Sequence, residues 1–298
     1  MMLFANARVY TVKLDTPITN EVLEKHKARE PGPMETHAQG WVPPFGKESD
    51  KLLEQIGDVG LITLRTSKRR LPGKVVKEAV SAKVDEIEKR DGRKVYRTER
   101  NAIKEQVLAE LLPRAFVEHR HISAMLLPGY IVINATSETA AMDVLNLLRE
   151  CNETLPVRPL NVRIPPYSLM TDWLRAHAAP GNLRIGSDCL LQDTDRGQIR
   201  IRDRELDSEE VRSHLQAGMI VERLSLEHMD LDSFTSVYFE LDDKLVLRKI
   251  SYVGLAEIQA EDAYEELQGT LAIAGDAMAN LLSELVTSFG GIDDSTVF

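Results

Sequence analysis

Residues 65–120 read RTSKRRLPGKVVKEAVSAKVDEIEKRDGRKVYRTERNAIKEQVLAELLPRAFVEHR, and the rest of the chain is organised around this stretch. Val76, Val80, Val84 and Ile87 recur at helical spacing, giving one apolar face to a helix of roughly four to five turns. Pro72-Gly73 marks its start and Asp91-Gly92 its end. Thr98 is placed to cap a second helix, on which Ile103, Val107 and Leu111 repeat the stripe until Pro113 stops it. The expectation is a helical hairpin over residues 73–113.

Charge singles out the same stretch. It carries 16 Lys/Arg against 9 Asp/Glu, while the remaining residues hold 21 against 38, so a chain of net charge −10 changes sign here. Positive charge gathered in one place is suited to an anionic partner. The densest part is Lys89 to Arg100, around the lone aromatic Tyr96. Asp85 with Lys89 and Glu86 with Arg90 have i, i+4 spacing, so some of this charge is expected to be neutralised on a solvated helix. Lys68-Arg69-Arg70, Arg93-Lys94 and Arg97 have no such partner and favour contact with a polyanion.

On either side of the hairpin the chain alternates strands and helices. LFANARVYTV (3–12) is an opening strand, followed by a short helix near Glu21 to Ala28, and Gly60 to Thr66 is a second strand. Gly40-Trp-Val-Pro-Pro-Phe-Gly-Lys47 resembles a phosphate loop only superficially. Its glycines are one residue too far apart, Glu48 stands where a Mg²⁺-binding hydroxyl belongs, and two prolines remove N–H donors; a rigid aromatic turn is expected. Ala115 to Leu126 and Tyr130 to Asn134 are strands joined by Pro128-Gly129, and Ser137 starts a helix to Arg149. These segments form one α+β domain, residues 1–72 with 114–160, into which the hairpin is inserted.

LPVRPL (155–160) and Pro165-Pro166 mark the boundary to a second α+β domain, residues 161–298. It opens with a helix from Ser168 to His177 anchored by Trp173, then strands at Leu183 to Leu191 and Gln198 to Arg204. In the latter, alternation puts Arg200, Arg202 and Arg204 on one face at about 7 Å intervals, a spacing suited to phosphates; a solvated edge face is the alternative. Ser208 caps a further helix, and strands follow at Met219 to Leu226, Ser236 to Leu241 and Lys244 to Ile250. A long helix from Glu261 to Phe289 carries the stripe Leu267, Leu271, Ala274, Met278, Leu281, Leu285, Phe289, either core or dimer contact. From Asp203 onward there are 21 acidic residues and 6 basic ones, an outer surface that any DNA site must avoid.

The sequence offers little catalytic chemistry. His119 and His121 lack a clear third metal ligand, Asp242-Asp243 and Asp293-Asp294 suit a turn and a tail, and no hydrolase or metalloprotease motif is present. Cys151 and Cys189 lack ligand spacing and are expected to be reduced cytosolic thiols; no apolar run approaches a membrane span, and the N-terminal residues lack signal-peptide features. A non-catalytic binding protein without cofactor or metal is expected.

Phe4-Ala-Asn-Ala-Arg-Val-Tyr10, Gly40-Trp-Val-Pro-Pro-Phe-Gly46, Leu71-Pro with Val76-Lys77, Leu111-Leu-Pro-Arg-Ala-Phe116, Leu155-Pro-Val-Arg-Pro-Leu160, Thr171-Asp-Trp173 and Ala217-Gly218 recur in order along the chain. By these motifs the chain resembles the bacterial recombination-associated RdgC family over nearly its full length. The resemblance implies a nucleoid-associated cytoplasmic protein, a ring-shaped homodimer that encircles double-stranded DNA with little sequence preference and restrains a RecA-type recombinase. It makes Arg114 and Phe116 candidates for the DNA-facing or ring-closing surface, and places Arg200, Arg202 and Arg204 on the family's basic strand. With the charge pattern, the expected DNA contacts are Lys68, Arg69 and Arg70; Lys74 and Lys77; Arg93, Lys94 and Arg97; Arg114 and Phe116; and the three arginines of the second half. Glu118, where basic or hydroxyl residues are common, and Met219, where a lysine often follows Ala-Gly, depart from the family pattern. A metal-dependent nuclease, and an acidic module acting directly on the recombinase, are the alternatives.

Overall fold

The computed structural model describes residues 4–13, 17–152, 155–230, 235–254 and 260–293; Leu3 of the expected first strand and Asp294 of the expected tail lie outside them. The elements in chain order are β1 (Asn6–Val12), α1 (Asn20–Glu24), β2 (His37–Val42), β3 (Leu53–Ile56), β4 (Val59–Arg70), α2 (Gly73–Asp91), α3 (Arg97–Leu111), β5 (Phe116–Leu127), β6 (Tyr130–Ile133), α4 (Glu138–Cys151), β7 (Val157–Pro159), α5 (Pro166–Ala176), β8 (Leu183–Gln192), β9 (Gln198–Ile201), α6 (Glu209–Gln216), β10 (Ile220–Asp230), β11 (Thr235–Asp242), β12 (Leu247–Val253) and α7 (Ala263–Ser288). This is an α+β fold with antiparallel strand pairing, as expected.

By contacts the chain divides into two compact units, residues 1–25, 43–63 and 122–298 in the larger, and 26–42 and 64–121 in the smaller. The cuts fall inside β4 and β5, so both strands run from one unit into the other. The expected divisions at 72, 113 and 160 follow motif and proline punctuation and cut the chain elsewhere.

In the larger unit, strands pair in the order β5-β6-β1-β12-β11-β10-β8-β9, with β3 on β4 and β7 on β1. The Pro128-Gly129 turn joins β5 to β6, with Gly129 at φ 79°, a backbone shape that a residue bearing Cβ adopts only under strain. The stripe of α7 is core. Leu271, Ala274, Met278, Leu281, Leu285 and Phe289 are all buried, Phe289 stacking on Trp173 at 5.3 Å. Gly275 lets α7 approach β4 closely, since a Cβ there would meet Val59 Cγ2 at 2.5 Å. Thr171 gives a physical reason for the Thr-Asp-Trp motif: its buried hydroxyl donates to Tyr167 O and accepts from Val221 N, at 2.6 and 2.9 Å, tying α5 to β10.

In the smaller unit α2 and α3 share a buried seam of Val76, Val80, Val84, Ile103 and Val107, the residues the periodicity selected. Burial of each such side chain stabilises the pair by roughly 1.5–3 kcal/mol. Gly92 ends α2 in the left-handed conformation at φ 64°. The start of α3 differs from expectation. Its cap is Tyr96, without a side-chain hydrogen bond, and Thr98 lies in the first turn; Glu88 of α2 instead reaches across to accept from Val95 N at 2.9 Å.

Other differences have local causes. The first helix is only Asn20–Glu24, because Ala28 N–H donates to Trp41 O and Trp41 N–H donates to His26 O, bonds that make Lys27 a bridge residue beside β2. For the same reason Gly40-Trp41-Val42 belongs to a strand rather than a turn: a Cβ on Gly40 would lie 2.3 Å from Ala28 Cα, and Trp41 is fully buried. Strand β12 begins at Leu247 rather than Lys244, since Asp242 Oδ1 accepts from the N–H groups of Lys244 and Val246 and holds a turn. Strand β9 stops at Ile201, three residues short of Arg204.

Candidate nucleic-acid interface

The end of β4 and the start of β5 carry the first group of expected contacts, and the structure gives them different tasks. Lys68 is exposed and makes no ion pair. Arg69 is half-buried, its guanidinium donating to the carbonyls of Pro31, Gly32, Pro113 and Ala115 at 3.0–3.3 Å. It fastens the loop before β2 to the segment after α3, and few of its donors remain for a ligand. Arg70 pairs with Glu118, whose carboxyl it holds below the usual range. The departure at Glu118 thus neutralises a neighbouring arginine. Arg114 and Phe116 are exposed, Phe116 at 86%.

Pairing along the helices also differs from the sequence pattern. The i, i+4 pairs expected at Asp85–Lys89 and Glu86–Arg90 do not form; Arg90 turns to Asp91 at 2.8 Å, and Lys89 has no partner. Arg93, expected to be free, lies between the two oxygens of Glu99 at 2.7 Å each and near Asp91 at 3.8 Å. That hydrogen-bonded pairing lowers the pKa of Glu99 and raises that of Arg93. Lys74 faces Glu78 at 4.0 Å, a loose exposed contact, and Lys77 is exposed and unpaired. Lys94 and Arg97 remain free beside the 76% exposed Tyr96. Lys89, Arg100, Lys104 and Arg120, which are not among the contacts expected from the sequence, are equally exposed and make no ion pair among the described residues.

In the larger unit the expected arginine strand is corrected. Only Arg200 lies in β9; Asp203 has φ 49° and donates its N–H to Asp188 Oδ1 at 2.9 Å, and Arg204 N–H bonds Ser187 O. The chain therefore turns away from the ladder after Ile201, and the regular 7 Å spacing is absent. All three arginines are exposed. On the sheet of this unit three cations are paired with buried carboxylates, whereas Lys47, Arg184, Arg196 and Arg212 are exposed with no ion pair among the described residues. Buried Glu240 meets Lys249 at 2.5 Å and Arg223 at 3.5 Å, and buried Asp242 holds Arg248 at 2.9 Å.

His119 and His121 do not form a metal pair with a third ligand. His119 Nδ1 is 2.9 Å from Ser67 Oγ, and among the described residues no three His, Cys, Asp or Glu are grouped to hold a metal. Neither Cys151 nor Cys189 is in a disulfide among the described residues, and burial pushes the Cys189 thiol up to about 12. Met219 is buried.

The smaller unit thus holds both paired cations, such as Arg70, Lys83, Arg90 and Arg93, and exposed ones that make no ion pair among the described residues. A family model described as "Putative exonuclease, RdgC" matches residues 2–292. A recombination-associated protein RdgC from Pseudomonas syringae pv. tomato is 38% identical over 304 residues, covering 97% of this chain and 98% of its own. The RdgC protein of Pseudomonas aeruginosa strain PAO1 is 37% identical with the same coverage, and that of Pseudomonas fluorescens SBW25 is 39% identical over 280 residues, covering 91% and 90%. The chain belongs to the RdgC family. No helix among the described residues is long and apolar enough to cross a membrane.

Proposed function

We propose that the chain is a non-catalytic, sequence-nonspecific binder of double-stranded DNA that acts in recombination. The observation that carries this reading is the set of exposed cations in the smaller unit that make no ion pair among the described residues, at Lys68, Lys77, Lys89, Lys94, Arg97, Arg100, Lys104, Arg114 and Arg120, of which Lys68 and Arg114 stand near Glu118 and Glu110. Cations without carboxylate partners are available to release counterions from a phosphate backbone, which is the main source of nonspecific affinity. Arg200, Arg202 and Arg204 are a second set of contacts in the larger unit, and Phe116 is a ring-closing or DNA-facing residue. Arg69, Arg70 and Arg93 serve the fold or are neutralised, and contribute less.

In this reading a central domain bears a helical hairpin as its tip, and two copies close a ring around the duplex. Occupying DNA in this way restrains a RecA-type recombinase, and places the protein on the nucleoid in the cytoplasm. The relatives' names attach them to recombination, which supports the process but not the step. The family description names an exonuclease, and a metal nuclease would need clustered carboxylate or imidazole ligands, so the divalent-ion arm of the test below separates the two readings.

The test incubates the full chain with unrelated linear and closed circular duplexes, with and without Mg²⁺ or Mn²⁺, together with its oligomer mass. Similar affinity for all sequences, a dimer and intact DNA are expected. Divalent-dependent cleavage would establish the nuclease, and a monomer would contradict encirclement.

A further inference from the structure

One face of the smaller unit joins an arginine, two histidines and a carboxylate. Ser67 Oγ and His119 Nδ1 lie 2.9 Å apart across β4 and β5, so the period-2 alternation of strands puts Arg65 and Ser67 on the same face as His119 and His121. Glu30, from the loop before β2, brings one oxygen, Oε1, to 3.2 Å from Arg65 Nη2 and 3.9 Å from His119 Nε2. The Arg65 Nε is buried and has no hydrogen-bond partner. A single carboxylate oxygen thus stands between a guanidinium and an imidazole, the position an oxygen of a bound phosphate would take.

We propose that Arg65, His119 and His121 form a phosphate-binding site which Glu30 masks, and that phosphate displaces Glu30 from it. Where the phosphate is that of DNA, this rests on the function proposed above.

The charges around the site decide the direction of its response. Glu30 faces it from the loop, Arg65 from β4, and His119 and His121 from β5; Arg69 on the same face is engaged by four carbonyls, and Arg29 of the loop is held by Glu35. Glu30 is 58% exposed, so its hold is that of a surface pair and can be competed away. The pKa of His121 is lowered by burial and by the adjacent Arg65 and His119, so in the free protein it resists protonation. An anionic phosphate group, such as the monoanionic diester of a DNA backbone, reverses that balance and favours a proton on His121, and by linkage the affinity for that diester rises as pH falls.

The experiment uses the full chain and two probes. Fluorescence anisotropy with a labelled duplex, at fixed salt, is measured at about pH 8 and about pH 6, the two sides of the ordinary imidazole pKa. Histidine ring resonances are followed by NMR while inorganic phosphate is added. Wild type is expected to gain up to about tenfold in duplex affinity per coupled histidine pKa unit on acidification. The exposed double variant His119→Gln/His121→Gln should lose that gain, and Glu30→Gln should bind about fivefold tighter at the higher pH.

Movement of the histidine resonances by phosphate without any change in duplex pH response keeps the phosphate site and identifies free phosphate as its ligand. Unmoved resonances, with duplex affinity insensitive to Glu30→Gln and to the histidine substitutions, would overturn the proposal and leave DNA binding intact. Absence of duplex binding at either pH would instead refute the DNA reading, and the phosphate titration alone would then decide the site.

Discussion

The turn between α2 and α3 and the sheet β10-β11-β12 both carry charged residues, but they treat them in opposite ways. In the sheet, Glu240 and Asp242 are buried and each is met by cations, Arg223 and Lys249 for one and Arg248 for the other. Around the turn, Arg90 and Arg93 are paired at the surface with Asp91 and Glu99, but Lys89, Lys94, Arg97 and Arg100 stand in solvent with no ion pair among the described residues. Buried charges must be paired because desolvation is costly, and removing one partner is strongly destabilising. Exposed unpaired cations contribute little to the fold and are available to a ligand. Charge in one region therefore serves stability and in the other, on the function proposed above, would serve binding, and substitutions can separate the two.

The largest expected effect is on binding. Reversing Lys89, Lys94, Arg97 and Arg100 to Glu should lower duplex affinity by 100-fold or more, on the order of one lost phosphate contact per residue with added repulsion, while the thermal midpoint stays close to wild type. A matching loss of stability would show that these side chains hold the fold. Next is Asp242→Ala in the sheet, which strands Arg248 and frees the N–H groups of Lys244 and Val246; about 3 kcal/mol of stability should be lost in denaturant melts. Duplex affinity of the protein that remains folded should be unchanged. Val107→Ala opens the seam between α2 and α3 and should cost about 2 kcal/mol, seen as faster amide exchange confined to residues 73–111.

The smallest effect is pH-dependent. His228 on β10 is buried, and desolvation lowers its pKa despite Glu284 and Asp230 nearby. A depressed histidine pKa means the unfolded chain binds the proton more readily. Its contribution is present above the ordinary imidazole value of about 6.5 and is lost as pH falls from there towards the folded pKa. His228→Gln should flatten the acid limb of the stability profile; an unaltered limb would place the titration elsewhere.

Much of the fold was legible because its helices are long and periodic. The stripes on α2, α3 and α7 named most of their buried residues, since burial of an amphipathic face is what makes such helices form, although Ile87, Leu111 and Leu267 are only partly buried and Ala277 and Leu282 of α7 were not named. Strand β3 was missed: four residues, Leu-Glu-Gln-Ile, offer no alternation to detect, and its Glu54 is buried by tertiary packing. Strand β9 was overextended because alternation continued in the sequence after the backbone had turned at Asp203, captured by Asp188.

The candidate interface was legible as a region and not as a list of residues. Arg70 is neutralised by Glu118, 48 positions away, and Arg93 by Glu99 across the turn, six positions away; neither partner stands at helical spacing. Arg69 is consumed by carbonyls from two distant segments. Lys89, expected to be paired, is free because helix geometry alone does not bring Asp85 onto it. Which cations remain available is decided by tertiary contacts that local spacing does not record.

The most direct measurement is the salt dependence of duplex affinity for the wild-type chain and for Lys94→Gln/Arg97→Gln. Each phosphate contact contributes about 0.9 to the magnitude of the slope of log K against log salt. The account predicts a slope shallower by about 1.8 for the double variant, at unchanged thermal stability. Identical slopes would mean that these unpaired cations do not touch the phosphates, contradicting the assignment of the smaller unit to DNA.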